Sequence, residues 1–535
     1  MLETHELQGV SMEGLRGTAL AAALLSVASL AQAADPQRGG TAIYVQAQDP
    51  PGVNPDIISG LPNRFAGCTI FEGLVNVAQT YEIVPALAKS WSISPDQLPY
   101  SFELTPTEFH DGKPVTAEDV KYTLQEVSTK YSAVFLPAGK VIDTIETPAP
   151  DKVVIKLKQP FGPFLMSLAC NQGSAILPSH QFKGSDPLTN PGNTINPIGT
   201  GAFKFQEWKR GDYIKFARNP KYREPGKPYL DAVIGKTIPS TAAGLQALLA
   251  GEVDIIQSFP PGNKAAVEAN PKLKVMESDQ PAVTTFIMVN IDRKPFGDKR
   301  VRQALYRAID RDYLMKNAFF NIGKVSAQPF PSNISWAVDP ALDLRKMYPF
   351  DIAKANEELD EAGVKRGSDG KRLSARLVIY AHEYPEFLPA ATAIKSVWQQ
   401  LGIDLTIDQL ETATIIEKVF KERDFDLVML TYNSFADPVF GIAREYVGPS
   451  VGKAFGNATG YANPVVDALF EKGERATAPE ERGKFYKEAQ AILAIDNPSL
   501  KLREYKNLDA ATKRLEGFAG NLMGNGRWAD AWLSK

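Results

Sequence analysis

The sequence predicts two α/β lobes. The chain has 535 residues, whereas a single hydrophobic core stops growing at roughly 250–300 residues. Helical and extended periodicities alternate along it in two successive series, the pattern of α-to-β units rather than of a bundle or a sandwich. No internal repeat or low-complexity segment converts that alternation into a solenoid or a linker. With 44% hydrophobic and 23% charged residues, the composition is that of an ordinary globular protein and not of a disordered or membrane-embedded one.

The elements follow in order. Arg16 precedes an apolar run from Thr18 to Leu30, which ends in Ala31, Gln32 and Ala33. That run suits the apolar core of a signal peptide, roughly 7–15 residues, and falls short of the about 20 that a spanning helix requires. Residues 1–33 are therefore expected to be a cleavable signal peptide, started at Met1 or Met12; Ala34 and Asp35 follow, with no lipid-bearing Cys. Gly39–Val45 alternates as a first strand, and Ile70–Val75 is expected to be a short apolar helix. Tyr100, Phe102 and Leu104 alternate before a turn at Asp111-Gly112, and Thr116 with Asp119 has the spacing of a capping box. Val153–Leu157 and Phe203–Phe205 read as strands around a Pro/Gly/Asn-rich loop. Leu245, Leu248 and Leu249 share a helical face that Gly251 ends, and Val253–Ile256 is the next strand.

A second series begins after Phe286–Asn290, with helices over Val301–Ile309 and Asp351–Ala362. Leu377–Tyr380, a helix over Ala390–Leu401, Ile403–Ile407 and a buried strand at Phe425–Leu430 continue it. Thr477 and Glu480 have capping-box spacing ahead of a last long helix.

Charge and chemistry exclude several classes. A net charge of -3 with scattered Lys and Arg provides no basic stripe for nucleic acid. His110, His180 and His382 are the histidines outside the leader, far apart and with no ligands at metal-binding spacing, so no metal and no cofactor is expected. There is no Gly-x-Ser-x-Gly elbow, no Walker loop and no dinucleotide fingerprint, and nothing nominates a nucleophile. An enzyme is not expected. Cys68 and Cys170 are the only cysteines; in an oxidising compartment they form either one disulfide or two small buried apolar side chains.

Several segments resemble family 5 of the bacterial extracellular solute-binding proteins. They are Pro85–Trp91, Phe109–Val120, Gly199–Phe203, Leu249–Ile255, Asn290 with Pro295–Leu305, Ala308–Arg311 and Glu361–Gly363, in the family's order. The resemblance implies a two-lobed periplasmic binding protein fold with a hinge and an extra subdomain in the first lobe. Lobe I would span residues 34–287, with the subdomain at about 81–196, lobe II would span 288–502, and 503–535 would return to lobe I. The hinge crossings are expected near Thr285–Asn290 and Leu500–Lys506. Trp91, His110, Asp111, Asp119, Asp254 and Arg302 are expected to fix turns, caps and packing. The implied role is capture of a small solute for an ABC permease and its ATPase subunits, by a monomer in a Gram-negative periplasm.

In family members that bind free peptides, an Asp four residues before a Pro takes the peptide ammonium. That position here is Ser434, before Pro438, which argues for a modified peptide or an amphiphilic solute. The alternatives are a general oligopeptide receptor using Asp437, or a periplasmic hydrolase. Tyr432, Asn433, Ser434 and Phe435 are the candidate contacts, since aromatics beside an amide and a hydroxyl suit a partly apolar ligand. Trp336, Tyr380 and His382 are further candidates.

Overall fold

A computed structural model of the chain describes residues 35–57, 61–78, 80–277, 283–381, 383–435, 437–518 and 528–535. The expected signal peptide and His382 lie outside them. Among the described residues no helix is long and apolar enough to cross a membrane.

Two large sheets organise the chain. The first has seven strands in the order Leu273–Glu277, Leu508–Thr512, Ile255–Ile256, Thr41–Gln46, Ala232–Thr237, Tyr213–Arg218 and Phe203–Lys209. It thus draws strands from both ends of the chain. Its two faces are covered separately. Tyr44, Phe203 and Phe216 lie in one apolar cluster, with Phe65 and Trp528; the Leu245 and Leu248 face of the helix Thr241–Ala250 lies in the other, with Ile43 and Val45. That helix stops at Gly251, whose positive φ is the left-handed cap its sequence predicts.

The second sheet has six strands in the order Lys324–Val325, Ser499–Tyr505, Val283–Val289, Leu427–Asn433, Leu373–Ile379 and Ile403–Gln409. Val283–Val289 is buried at every position because strands flank it on both edges. The helix Phe387–Gln400 packs the fully buried Trp398 into this core. A third, four-stranded sheet, Ala88–Ile93, Pro99–Leu104, Lys152–Leu157 and Ile142–Ala149, has a cluster of its own around Tyr100, Phe102 and Val153. The chain passes from the first large sheet to the second between Glu277 and Val283, and returns between Tyr505 and Leu508.

Three local expectations need correction. The first helix is Leu61–Ile70 and not Ile70–Val75, because Gly73 lies against the backbone at Leu168–Cys170, where a Cβ would come within 2.4 Å of the Leu168 carbonyl. The helix Pro479–Asp496 is capped by Ala478 without a side-chain bond, so Thr477 is not its cap; Pro479, with its preset φ, starts the helix one residue later. The strand expected at Val253–Ile256 is only Ile255–Ile256. Thr116 and Asp119 do form a capping box.

The family-motif residues hold the framework. His110 Nε2 lies 3.0 Å from the Gly201 carbonyl, and burial pushes its pKa down to about 4. Asp254 accepts from Ile43 N at 2.9 Å and from Arg514 at 2.7 Å, and Arg302 donates to the carbonyls of Phe296, Gly297 and Asn497. Cys68 and Cys170 are joined in a disulfide.

Candidate ligand site

The strand Leu427–Asn433 leaves the six-stranded sheet into a tight loop. Asn433 turns it, its Oδ1 accepting from Phe435 N at 2.8 Å, and Phe435 takes a left-handed backbone with φ +49°. Asp437 then caps the short helix Pro438–Gly441 by accepting from Val439 N at 2.9 Å. Gly441 allows the return, since a Cβ there would lie 2.3 Å from the Ser434 carbonyl oxygen. The half-buried Phe435 ring is therefore held by backbone geometry.

Elements from all three sheets meet this loop. From Leu61–Ile70, on the first sheet, Arg64 sets its guanidinium 6.0 Å from the Phe435 ring centre and donates to the Asn171 carbonyl at 3.2 Å. From Ala443–Tyr446, on the second, Arg444 lies 5.6 Å from the same ring and 4.2 Å over Tyr432. Asn333 donates to the Tyr81 hydroxyl at 2.7 Å and reaches Ser434 Oγ at 3.5 Å. Val439, in the short helix that follows the loop, packs on the cluster of the four-stranded sheet. Burial lowers the Arg64 pKa to about 10, with Arg444 acting in the same direction, and burial also lowers that of Arg444. Among the described residues the Asn333 carbonyl oxygen, beside this loop, is buried without a hydrogen-bond partner, as are the side-chain amides of Asn171 and Gln172 on the turn that follows Cys170.

The sequence-predicted residues divide. Asn433, Ser434 and Phe435 form the loop just described. Tyr432 is 5% exposed, donates to the Gly456 carbonyl at 3.0 Å and packs edge-on to Phe286. Tyr432→Phe is accordingly expected to lower stability by about 0.5–1.5 kcal/mol, the worth of one net hydrogen bond, as read by urea denaturation. Tyr380 is also core, its hydroxyl 2.7 Å from Thr412 Oγ1. Trp336 lies half-buried against Tyr486 with the Arg482 guanidinium 4.8 Å above it. Asp437 is bound through both oxygens by Arg482, at 2.6 and 2.8 Å. Both of its carboxylate oxygens are thus engaged by a guanidinium. His382 lies outside the described residues. No group of His, Cys, Asp or Glu that could hold a metal is found among the described residues.

Sequence reasoning missed Arg64, Arg444, Asn171, Gln172 and Asn333. No spacing signal marks them, because they come together only through folding. Cys68 was the one available pointer: it lies one helical turn after Arg64, and its disulfide partner Cys170 immediately precedes Asn171.

Comparison with known proteins agrees with this architecture. The profile of the bacterial extracellular solute-binding proteins, family 5 Middle, matches residues 82–450. The glutathione-binding protein GsiB of Pectobacterium atrosepticum is 28% identical over 459 residues, covering 84% of this chain and 86% of its own. The oligopeptide-binding protein AppA of Bacillus subtilis, solved in complex with a nonapeptide, superposes with a TM-score of 0.77 at 26% identity, over 94% of this chain and 100% of that one. The binding protein AgaA from A. tumefaciens R10, in complex with agropinic acid, gives 0.75 at 25% identity over 93% and 99%. Two α/β lobes joined by two crossings, and a profile match over most of the length, lead to one conclusion: this chain belongs to the bacterial extracellular solute-binding proteins, family 5.

Proposed function

We propose that the protein is the exported binding component of an ABC importer, capturing a small peptide-like or amphiphilic solute by lobe closure and delivering it to a membrane permease with its ATPase subunits. The observation that carries this reading is the convergence on the Phe435 loop of Arg64, Arg444 and Asn333, from segments far apart in the chain. The names of GsiB, AppA and AgaA's ligand support a small organic solute. We take residues 1–33 as the signal peptide, a Gram-negative periplasm as the compartment and a monomer as the working form. Sheet membership supports lobe boundaries near 282 and 506 rather than at 287 and 502, with an extra subdomain at about 81–196.

Mass spectrometry of small molecules released by mild denaturation is the direct test, and one retained organic solute is expected. Recovery of none, from protein made in cells grown on rich medium, counts against the reading. A ligand touching both lobes binds the closed form preferentially. At one hundred times its dissociation constant it should stabilise the protein by about 2.7 kcal/mol and reduce the radius of gyration in small-angle scattering. Unchanged scattering from a sample shown to start empty speaks against closure. Because Ser434 replaces a carboxylate, unmodified di- and tripeptides are expected to bind no tighter than about 1 mM; micromolar calorimetric affinity across many peptides would restore the oligopeptide-receptor alternative. The Asp437–Arg482 pair disfavours that alternative. A hydrolase reading would require turnover of the retained solute by pure protein.

A further inference from the structure

Arg444 is a cation without an anion. Its guanidinium rests on Tyr432 and Phe435, its one hydrogen bond is from Nε to the Gly441 carbonyl at 3.3 Å, and no carboxylate among the described residues pairs with it. The acids nearest in sequence are spent elsewhere. Glu445 is buried against Lys501 at 2.5 Å, and Asp437 against Arg482. A second guanidinium, that of Arg64, approaches the same Phe435 ring, so two like charges are gathered in a region of low dielectric where each raises the cost of the other. Aromatic faces offset part of that cost, and Arg444 is only half-buried, so its guanidinium remains open to a partner arriving from solvent. The Arg64 guanidinium is itself held to the turn after Cys170 by its bond to the Asn171 main-chain carbonyl at 3.2 Å.

Resting on the solute-binding reading above, we propose that the captured solute is a carboxylate, gripped by Arg444 with Arg64 beside it, and that its apolar portion lies against Phe435. A guanidinium fork matches the two oxygens of a carboxylate, and a ring flanked by two guanidiniums suits a carboxylate attached directly to an apolar or planar group. The solute needs no free ammonium, because the position where family peptide binders carry an Asp is Ser434 and the nearby Asp437 is held by Arg482. Recognition thus runs through the ligand's negative end instead of its positive one.

The test uses sodium benzoate as the probe, with benzamide and sodium chloride at matched concentration and ionic strength, on protein shown by native mass spectrometry to be empty. Benzoate is expected to raise the melting temperature in a saturable, millimolar manner, while benzamide and chloride do not. Arg444→Gln should weaken benzoate at least tenfold by calorimetry, and Arg444→Lys, which retains the charge but not the fork, should fall between. The Arg444→Gln protein should itself melt no lower than the wild type, since the substitution relieves an unpaired charge, which separates lost recognition from lost folding. No benzoate response, an equal response to benzamide, or undiminished benzoate binding by folded Arg444→Gln overturns the proposal. If the solute retained from cells proves neutral or cationic, this inference falls while the solute-binding reading stands; if no solute is retained, it is that reading which fails.

Discussion

Asp437→Ala should cost about 3–5 kcal/mol of folding stability, the loss typical of removing one partner of a buried ion pair. Both side chains are about 95% buried, and the pairing is bidentate. Burial alone would lower the Arg482 pKa, but Asp437 outweighs it and holds the group above its usual value. Arg482 also donates to the Gly473 carbonyl at 2.8 Å and covers Trp336, so an unpaired guanidinium would remain fixed in an apolar cluster. The variant loses the cap of Pro438–Gly441 as well. Urea denaturation of ligand-free protein checks the size of the effect, and a paired Asp437→Leu, Arg482→Met variant should recover much of it because no lone charge remains. A loss below about 1 kcal/mol for the single variant would mean that Asp437 is not held as the structure describes.

Replacing both Cys68 and Cys170 by Ala should cost about 4–5 kcal/mol. The disulfide links positions 102 residues apart, and a loop near 100 residues corresponds to about 4.7 kcal/mol of unfolded-chain entropy. The loss should extend to the ligand site, because the bridge fixes the helix bearing Arg64 to the turn bearing Asn171 and Gln172. Chemical denaturation with and without reductant measures the first effect. For the second, benzoate affinity should fall in the double variant under conditions where it remains folded. A midpoint unchanged by reduction, with the thiols shown to be free, would remove the bridge from the list of stabilising features.

The fold was legible wherever local chemistry and tertiary packing demanded the same conformation. Gly251 ends its helix, Thr116 and Asp119 cap theirs, and the alternation at Pro99–Leu104 matches a strand buried on one face. Errors arose where a distant segment decided the outcome. The apolar run after Ile70 looks helical, but the backbone at Leu168–Cys170 requires Gly73 at close range in a non-helical path. The loop Asn433–Phe435 was visible as a loop because a buried strand ends there. The depth of Tyr432 was not legible, because being next to a loop in sequence does not determine how a side chain packs, and this one lies edge-on to Phe286 with Arg444 over its ring. Arg64 and Arg444 were invisible for a related reason: they are 380 positions apart in the chain, as their numbers give, and folding brings both to the Phe435 ring.

The two sheet crossings also determine the order in which the molecule becomes complete as it emerges. Leu273–Glu277 is tied to its sheet through Leu508–Thr512 alone, and Lys324–Val325 to the other sheet through Ser499–Tyr505 alone. Until the stretch from Ser499 to Thr512 has been delivered, both sheets are gapped and each leaves a strand without a neighbour. Such late, long-range pairings close slowly. A chain made N-terminus first could complete its four-stranded sheet once Leu157 is present, whereas both large sheets would close only as its last few dozen residues arrived.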